Sequence, residues 1–70
     1  MSTVHMLPEE AREIRERLSW TMERAAEELG IKGGRTNYYQ YETGRKPISF
    51  QMAELYRAYD AGYRRKENYQ

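Results

Sequence analysis

Each stretch of this chain that carries apolar side chains carries them three or four residues apart, the spacing of one face of a helix. Leu7, Ala11, Ile14 and Leu18 make the first stripe, and Met22, Ala25, Ala26 and Leu29 the second. Tyr38 and Tyr41 make a short third, and Met52, Leu55, Tyr56 and Tyr59 the fourth. No stretch alternates apolar and polar residues as a half-buried strand does. Sheet-based folds are thereby disfavoured. The 70 residues leave room for one domain, since typical domains run to about 100–150. The expectation is an all-α protein, a compact four- to five-helix bundle over residues 1–70.

Local signals place the helices. Pro8 suits a first helical turn because its φ is fixed, and Glu9 and Glu10 face the positive end of the helix dipole, so a helix over 8–18 is expected. Its polar face pairs Glu9 with Arg12 and Glu13 with Arg17 at helical spacing. After the turn Ser19–Trp20, Thr21 is a good N-cap for a second helix, and Gly30 ends it. Ile31 to Gly34 reads as a turn, followed by a third helix from Arg35 or Thr36 to Glu42, stopped by Gly44. Arg45-Lys46-Pro47-Ile48 is a basic loop. Ser49 caps a fourth helix from Phe50 to about Gly62, and Tyr63 to Gln70 is a frayed continuation or a tail.

The core is thin. Leu, Ile, Val and Phe number nine of 70 residues, while seven Tyr, six Ala and four Met make up the apolar material. The low net charge of +1 argues against disorder. Such a chain is expected to gain stability by self-association. Several function classes fall away. Without cysteine there is no disulfide, thiolate metal site or Cys nucleophile. His5 is the only histidine and reads as an ordinary terminal residue, so the usual zinc-hydrolase and Ser-His-Asp constellations are out of reach in one chain. No apolar run approaches the ~20 residues of a membrane span. Residues 1–7 lack the regions of a signal peptide, so a cytoplasmic location is expected. No enzyme activity, cofactor, metal, membrane or small-molecule ligand is expected.

Charge is distributed unevenly. Residues 1–29 sum to −3, residues 30–49 to +3, and residues 50–70 to +1. A positive centre is the footprint of phosphate binding, with a solvated polar surface as the plain alternative. Two short helices joined by a glycine-containing turn also describe a helix-turn-helix, whose second helix enters the DNA major groove. Residues 35–42 suit that role, with tyrosines inward and Arg35, Thr36, Asn37, Tyr39 and Gln40 outward as candidate base contacts. Arg35 and Gln40 are the foremost of these, since Arg matches guanine and Gln adenine. Lys32, Gly33 and Gly34 before the helix and Arg45 and Lys46 after it are candidate phosphate contacts.

Arg15, Ala25-Ala26-Glu27-Glu28-Leu29-Gly30-Ile31 and Tyr38-Tyr39-Gln40-Tyr41-Glu42-Thr43-Gly44-Arg45-Lys46-Pro47 together resemble the helix-turn-helix domains of the lambdoid repressor and Cro class, the XRE family. The resemblance covers residues 8–60. It implies a lambda-repressor-like fold and sequence-specific binding to double-stranded DNA, usually as a dimer on a palindromic operator, for transcriptional control. It also implies a partly buried ion pair between Arg15 and Glu42. Three departures stand out: Met22 replaces a glutamine that contacts phosphate in the family, the turn is longer through Gly33 and Gly34, and a fifth helix has no clear counterpart. Turn-lengthened forms are similar to small phage autorepressors, including those accompanying anti-CRISPR genes, which implies a bacterial or phage-encoded, nucleoid-associated protein.

Other readings fit less well. Gly30-Ile31-Lys32-Gly33 matches the GxxG loop of KH domains, but no sheet accompanies it. A MerR or excisionase reading shares Ala-Ala-x-x-Leu-Gly-Ile, yet those proteins usually begin with the first motif helix, and here a helix precedes it. A protein-interaction module, such as an antitoxin whose main partner is a toxin, is the alternative from another class. Trp20 is expected to plug the core. For a homodimer, the stripe Met52, Tyr56, Tyr59 and Tyr63 looks too long for so small a core and is the expected interface.

Overall fold

The computed structural model describes residues 4–64. Among them are four α-helices: α1 (Pro8–Arg17), α2 (Met22–Leu29), α3 (Gly34–Glu42) and α4 (Phe50–Asp60). The all-α class is shown, with no strand among the described residues. The expected tail begins with the described Tyr63 and Arg64, and its remainder, residues 65–70, lies outside the described residues.

Each helix end has a local cause. Pro8 occupies the first turn of α1, with Glu9 and Glu10 beside it. Thr21 accepts the Arg24 N–H at 3.0 Å, and Ser49 accepts the Met52 N–H at 3.1 Å, each satisfying one orphan donor of a first turn. Gly30 takes φ of 72°, which lets the Ile31 N–H reach back to the Ala26 carbonyl at 2.9 Å and close α2. Boundaries move slightly from expectation: α1 ends at Arg17, α4 ends at Asp60, and α3 begins one or two residues earlier, at Gly34. That earlier start follows from Gly33, whose φ of 88° turns the chain directly into the helix.

The helices pack α2 on α3, and α1 on both α3 and α4, burying most of each stripe; Leu7, expected in the first, is 55% exposed instead. Ala11, Ala25 and Ala53 are wholly enclosed, so backbones approach closely where they meet. The large side chains filling the core are aromatic: Tyr38, Tyr56 and Tyr59 are each 0% exposed. Trp20 plugs the core beside Tyr59, edge to face with ring centres 4.9 Å apart. This corrects the expected dimer interface: Met52, Tyr56 and Tyr59 lie in the chain's own core, and of that stripe Tyr63 alone stands exposed. The physical reason is that, with so few aliphatic residues, the fold needs Met52, Tyr56 and Tyr59 to fill its own interior.

Candidate nucleic-acid interface

Residues 30–33 join α2 to α3; the positive charge of the middle segment comes from Lys32 in this turn, Arg35 on α3, and Arg45 and Lys46 just after it. Tyr38 anchors α3 from beneath, and Tyr41 is half-buried on the same side. Arg35, Thr36 and Tyr39 stand exposed on the other side, Tyr39 at 52%. They line a shallow recess of about 310 Å³. A second recess of about 340 Å³ lies where Arg35 meets Thr21, Met22 and Glu23 at the start of α2. The N-terminus of α2 and the exposed face of α3 therefore form one continuous surface.

The five candidate base-contacting residues are not equivalent. The Asn37 side-chain amide donates to the Lys32 carbonyl at 2.7 Å, so it braces the turn. Gln40 is half-buried, and its backbone carbonyl accepts the N–H groups of Arg45 at 2.9 Å and Lys46 at 3.2 Å. These bonds fold the basic loop against the end of α3. No sequence signal marks the Asn37 brace, because a side chain reaching back five residues across a turn depends on the path of that turn.

Among the described residues some cations hold a carboxylate and others do not; Arg12 on α1 and Arg64 after α4 are among those that do not. Arg15, Arg17, Arg24 and Arg57 hold Glu42, Asp60, Glu28 and Glu10 respectively. Among the described residues Lys32, Arg35, Arg45 and Lys46 form no ion pair, and Lys46 sits 5.7 Å from the centre of the Tyr41 ring. Four of these six unpaired cations, Lys32, Arg35, Arg45 and Lys46, thus cluster around α3.

Behind α3 lies a network that fixes its position. Arg15 Nε meets Glu42 Oε2 at 2.5 Å, and Nη2 meets Oε1 at 3.2 Å. Arg15 Nη1 also donates to the Trp20 carbonyl at 2.9 Å, tying the end of α3 to the α1–α2 connection. Tyr38 donates its hydroxyl to Glu42 at 2.6 Å, which leaves Tyr56 as the donor to the Tyr38 oxygen. Burial raises both phenol pKa values above the ordinary 10.0, and for Tyr38 its bond to Glu42 adds to the shift. The hydrogen bond to Glu42 is the leading reason that the Arg15 pKa is raised.

A second polar cluster, unforeseen in the sequence, joins α2 to α4. Glu28 is nearly buried, accepts from Arg24 at 2.8 Å and from the Tyr59 hydroxyl at 3.0 Å, and Arg24 lies 5.7 Å from the Trp20 ring centre. Helical spacing of Arg24 and Glu28 was a visible signal; the tyrosine 31 positions away was not.

No family model, curated protein or solved structure matches this chain. The surface must therefore be interpreted from its own chemistry. It offers a short helix with a polar, arginine-bearing face, unpaired cations at both ends, and a rigid support behind. No helix among the described residues is long and apolar enough to cross a membrane.

Proposed function

We propose that this chain is a sequence-specific double-stranded DNA-binding regulator of transcription, a repressor that binds a palindromic operator as a homodimer. In this reading α3 enters the major groove, Arg35, Thr36 and Tyr39 face base edges, and Lys32, Arg45 and Lys46 meet phosphates. The observation that supports it most is the clustering of unpaired cations at α3. The four cations flanking and opening α3 hold no carboxylate, whereas four other arginines do. The resemblance to small lambdoid and phage autorepressors supports a cytoplasmic, autoregulatory role without catalysis.

Selection of bound sequences from a random duplex pool tests this directly. A single palindromic motif is expected, with half-sites about 10 bp or a multiple apart. Affinity should fall steeply with salt, and Arg45→Ala should weaken specific and random binding alike while flattening the salt slope by about one unit. A pool that yields no enrichment, with binding indifferent to salt, refutes the reading.

A second reading, a module whose main partner is a protein such as a toxin, draws on Val4, Leu7 and Phe50, which are exposed apolar side chains. Those residues and Tyr63 are also what remains for self-association once Met52, Tyr56 and Tyr59 are assigned to the core. Salt-dependent binding to duplex DNA separates the cases, and the repressor reading also expects a species of twice 8.4 kDa in sedimentation.

A further inference from the structure

Tyr39 is the large apolar residue on an otherwise polar helix face. It stands 52% exposed, and its hydroxyl holds no hydrogen bond among the described residues. The fold has no use for it, since Tyr38 beneath it is the side chain that closes the core. Thr36 is likewise exposed, and its hydroxyl is without a partner among the described residues. Thr36 precedes Tyr39 by three positions and Arg35 precedes it by four, so the three side chains are surface neighbours on one face. They line the same recess of about 310 Å³. Asn37 is occupied by the turn, which leaves this trio as the freest group on α3.

The chemistry of the trio is mixed in a specific way. Arg35 carries only donors, in a fork that matches the paired acceptors O6 and N7 of guanine. The ring of Tyr39 and the methyl of Thr36 offer apolar surface. In the major groove only thymine, among the four bases, presents an apolar group, its 5-methyl. Arg35 and Tyr39 are one helical turn apart, about 6 Å along the axis. That distance is less than two base-pair steps of about 3.4 Å.

Resting on the reading of the chain as a DNA-binding protein, we propose that α3 reads a guanine together with a thymine 5-methyl group no more than two base pairs away. Arg35 takes the guanine, and Tyr39 with Thr36 takes the methyl. Tyr39 is then a specificity-determining residue that acts through its ring.

The test uses the full chain and the duplex enriched from a random pool. Each thymine within two base pairs of the motif's guanine is replaced in turn by uracil, which removes only the methyl. Anisotropy titrations are run on the wild type, Tyr39→Phe and Tyr39→Ala. At one thymine, uracil should weaken the wild type and Tyr39→Phe about fourfold, the value of one buried methyl. Tyr39→Ala should bind the thymine duplex more weakly and show little further loss with uracil. Tyr39 is exposed, so far-UV dichroism should show that both variants stay folded. Equal uracil sensitivity in wild type and Tyr39→Ala overturns the inference, as does a motif with no thymine within two base pairs of a guanine. Either of those results leaves the DNA-binding reading standing, whereas failure to enrich any motif removes both.

Discussion

Arg15 and Glu42 form the contact most open to quantitative attack. The Arg15 side chain is 12% exposed and that of Glu42 3%, and two hydrogen bonds join them. Glu42→Ala leaves the guanidinium without its counter-charge and the Tyr38 hydroxyl without its acceptor. Breaking a buried pair in this way costs about 3–5 kcal/mol. Arg15 keeps some water contact and its bond to the Trp20 carbonyl, so the lower end, about 3 kcal/mol, applies. A chain of this length has roughly 4–10 kcal/mol of stability in all. The variant should therefore melt about 12–24 °C lower, at about 4–8 °C per kcal/mol. Arg15→Ala should be similarly damaging. The double variant should be less destabilised than the two losses added, by about 2 kcal/mol. Urea melts followed by far-UV dichroism measure all four corners of this cycle. The coupling should survive 0.5 M salt, because buried pairs are poorly screened. The exposed pair Arg17–Asp60, at 2.9 Å, serves as the contrast and should show little coupling. Additive losses at Arg15 and Glu42 would refute the reasoning.

Three further outcomes are expected. Tyr38 and Tyr56 have pKa values raised above 10.0, so the unfolded chain gives up these protons first and stability should fall as pH rises beyond about 10; a melting series that stays flat to pH 11, or is unchanged in steepness by Tyr56→Phe, contradicts this. Gly33→Ala places a Cβ against the Asn37 amide nitrogen at a φ of 88°, so it should destabilise by more than about 1 kcal/mol, with partial relief in an Asn37→Ala background; an unchanged urea midpoint refutes it. Tyr59→Glu should abolish the cooperative melt because Tyr59 is 0% exposed, whereas Tyr63→Glu should leave folding intact; a folded Tyr59→Glu protein would show that the core is misassigned.

What could be read from the sequence was local. Thr21, Ser49, Pro8 and Gly30 act on backbone groups within a few residues, and each marks a helix end where its chemistry requires. The face of α3 was legible in part: the buried tyrosine at position 38 leaves Arg35, Thr36 and Tyr39 exposed as expected, whereas Asn37 and Gln40 are half-buried. The start of α3 was not, since Gly33 and Gly34 disfavour helix by composition yet take positive φ at its N-terminus. Most misleading was the stripe on α4. A phenol is buried only if its hydroxyl finds a partner, and the partners come from afar. Tyr56 meets Tyr38 across 18 positions, and Tyr59 meets Glu28 across 31. Without those partners in view, the tyrosines resembled surplus surface for a second chain.

The same tyrosines explain how a chain with so few aliphatic residues holds α3 steady. Aliphatic packing is non-directional and tolerates small rotations of a helix about its axis, whereas hydrogen-bonded rings do not. Tyr38 is held from α4 by Tyr56, and Glu42, one turn later on α3, is held from α1 by Arg15. Two bonds from two different helices, one turn apart, fix both the rotation and the tilt of α3. The Asn37 brace and the loop bonds at Gln40 fix its two ends. In the proposed complex, a helix held this way would orient Arg35, Thr36 and Tyr39 before DNA arrives, and binding would spend little energy on ordering them. Tyr56→Phe tests that link between stability and recognition. It removes one hydroxyl far from the exposed face and should cost about 1 kcal/mol of stability. If the support governs recognition, it should also narrow the affinity gap between the enriched duplex and random duplex, while the salt slope stays unchanged. A variant that melts earlier yet discriminates as well as the wild type would show that the network stabilises the fold without aiming the helix.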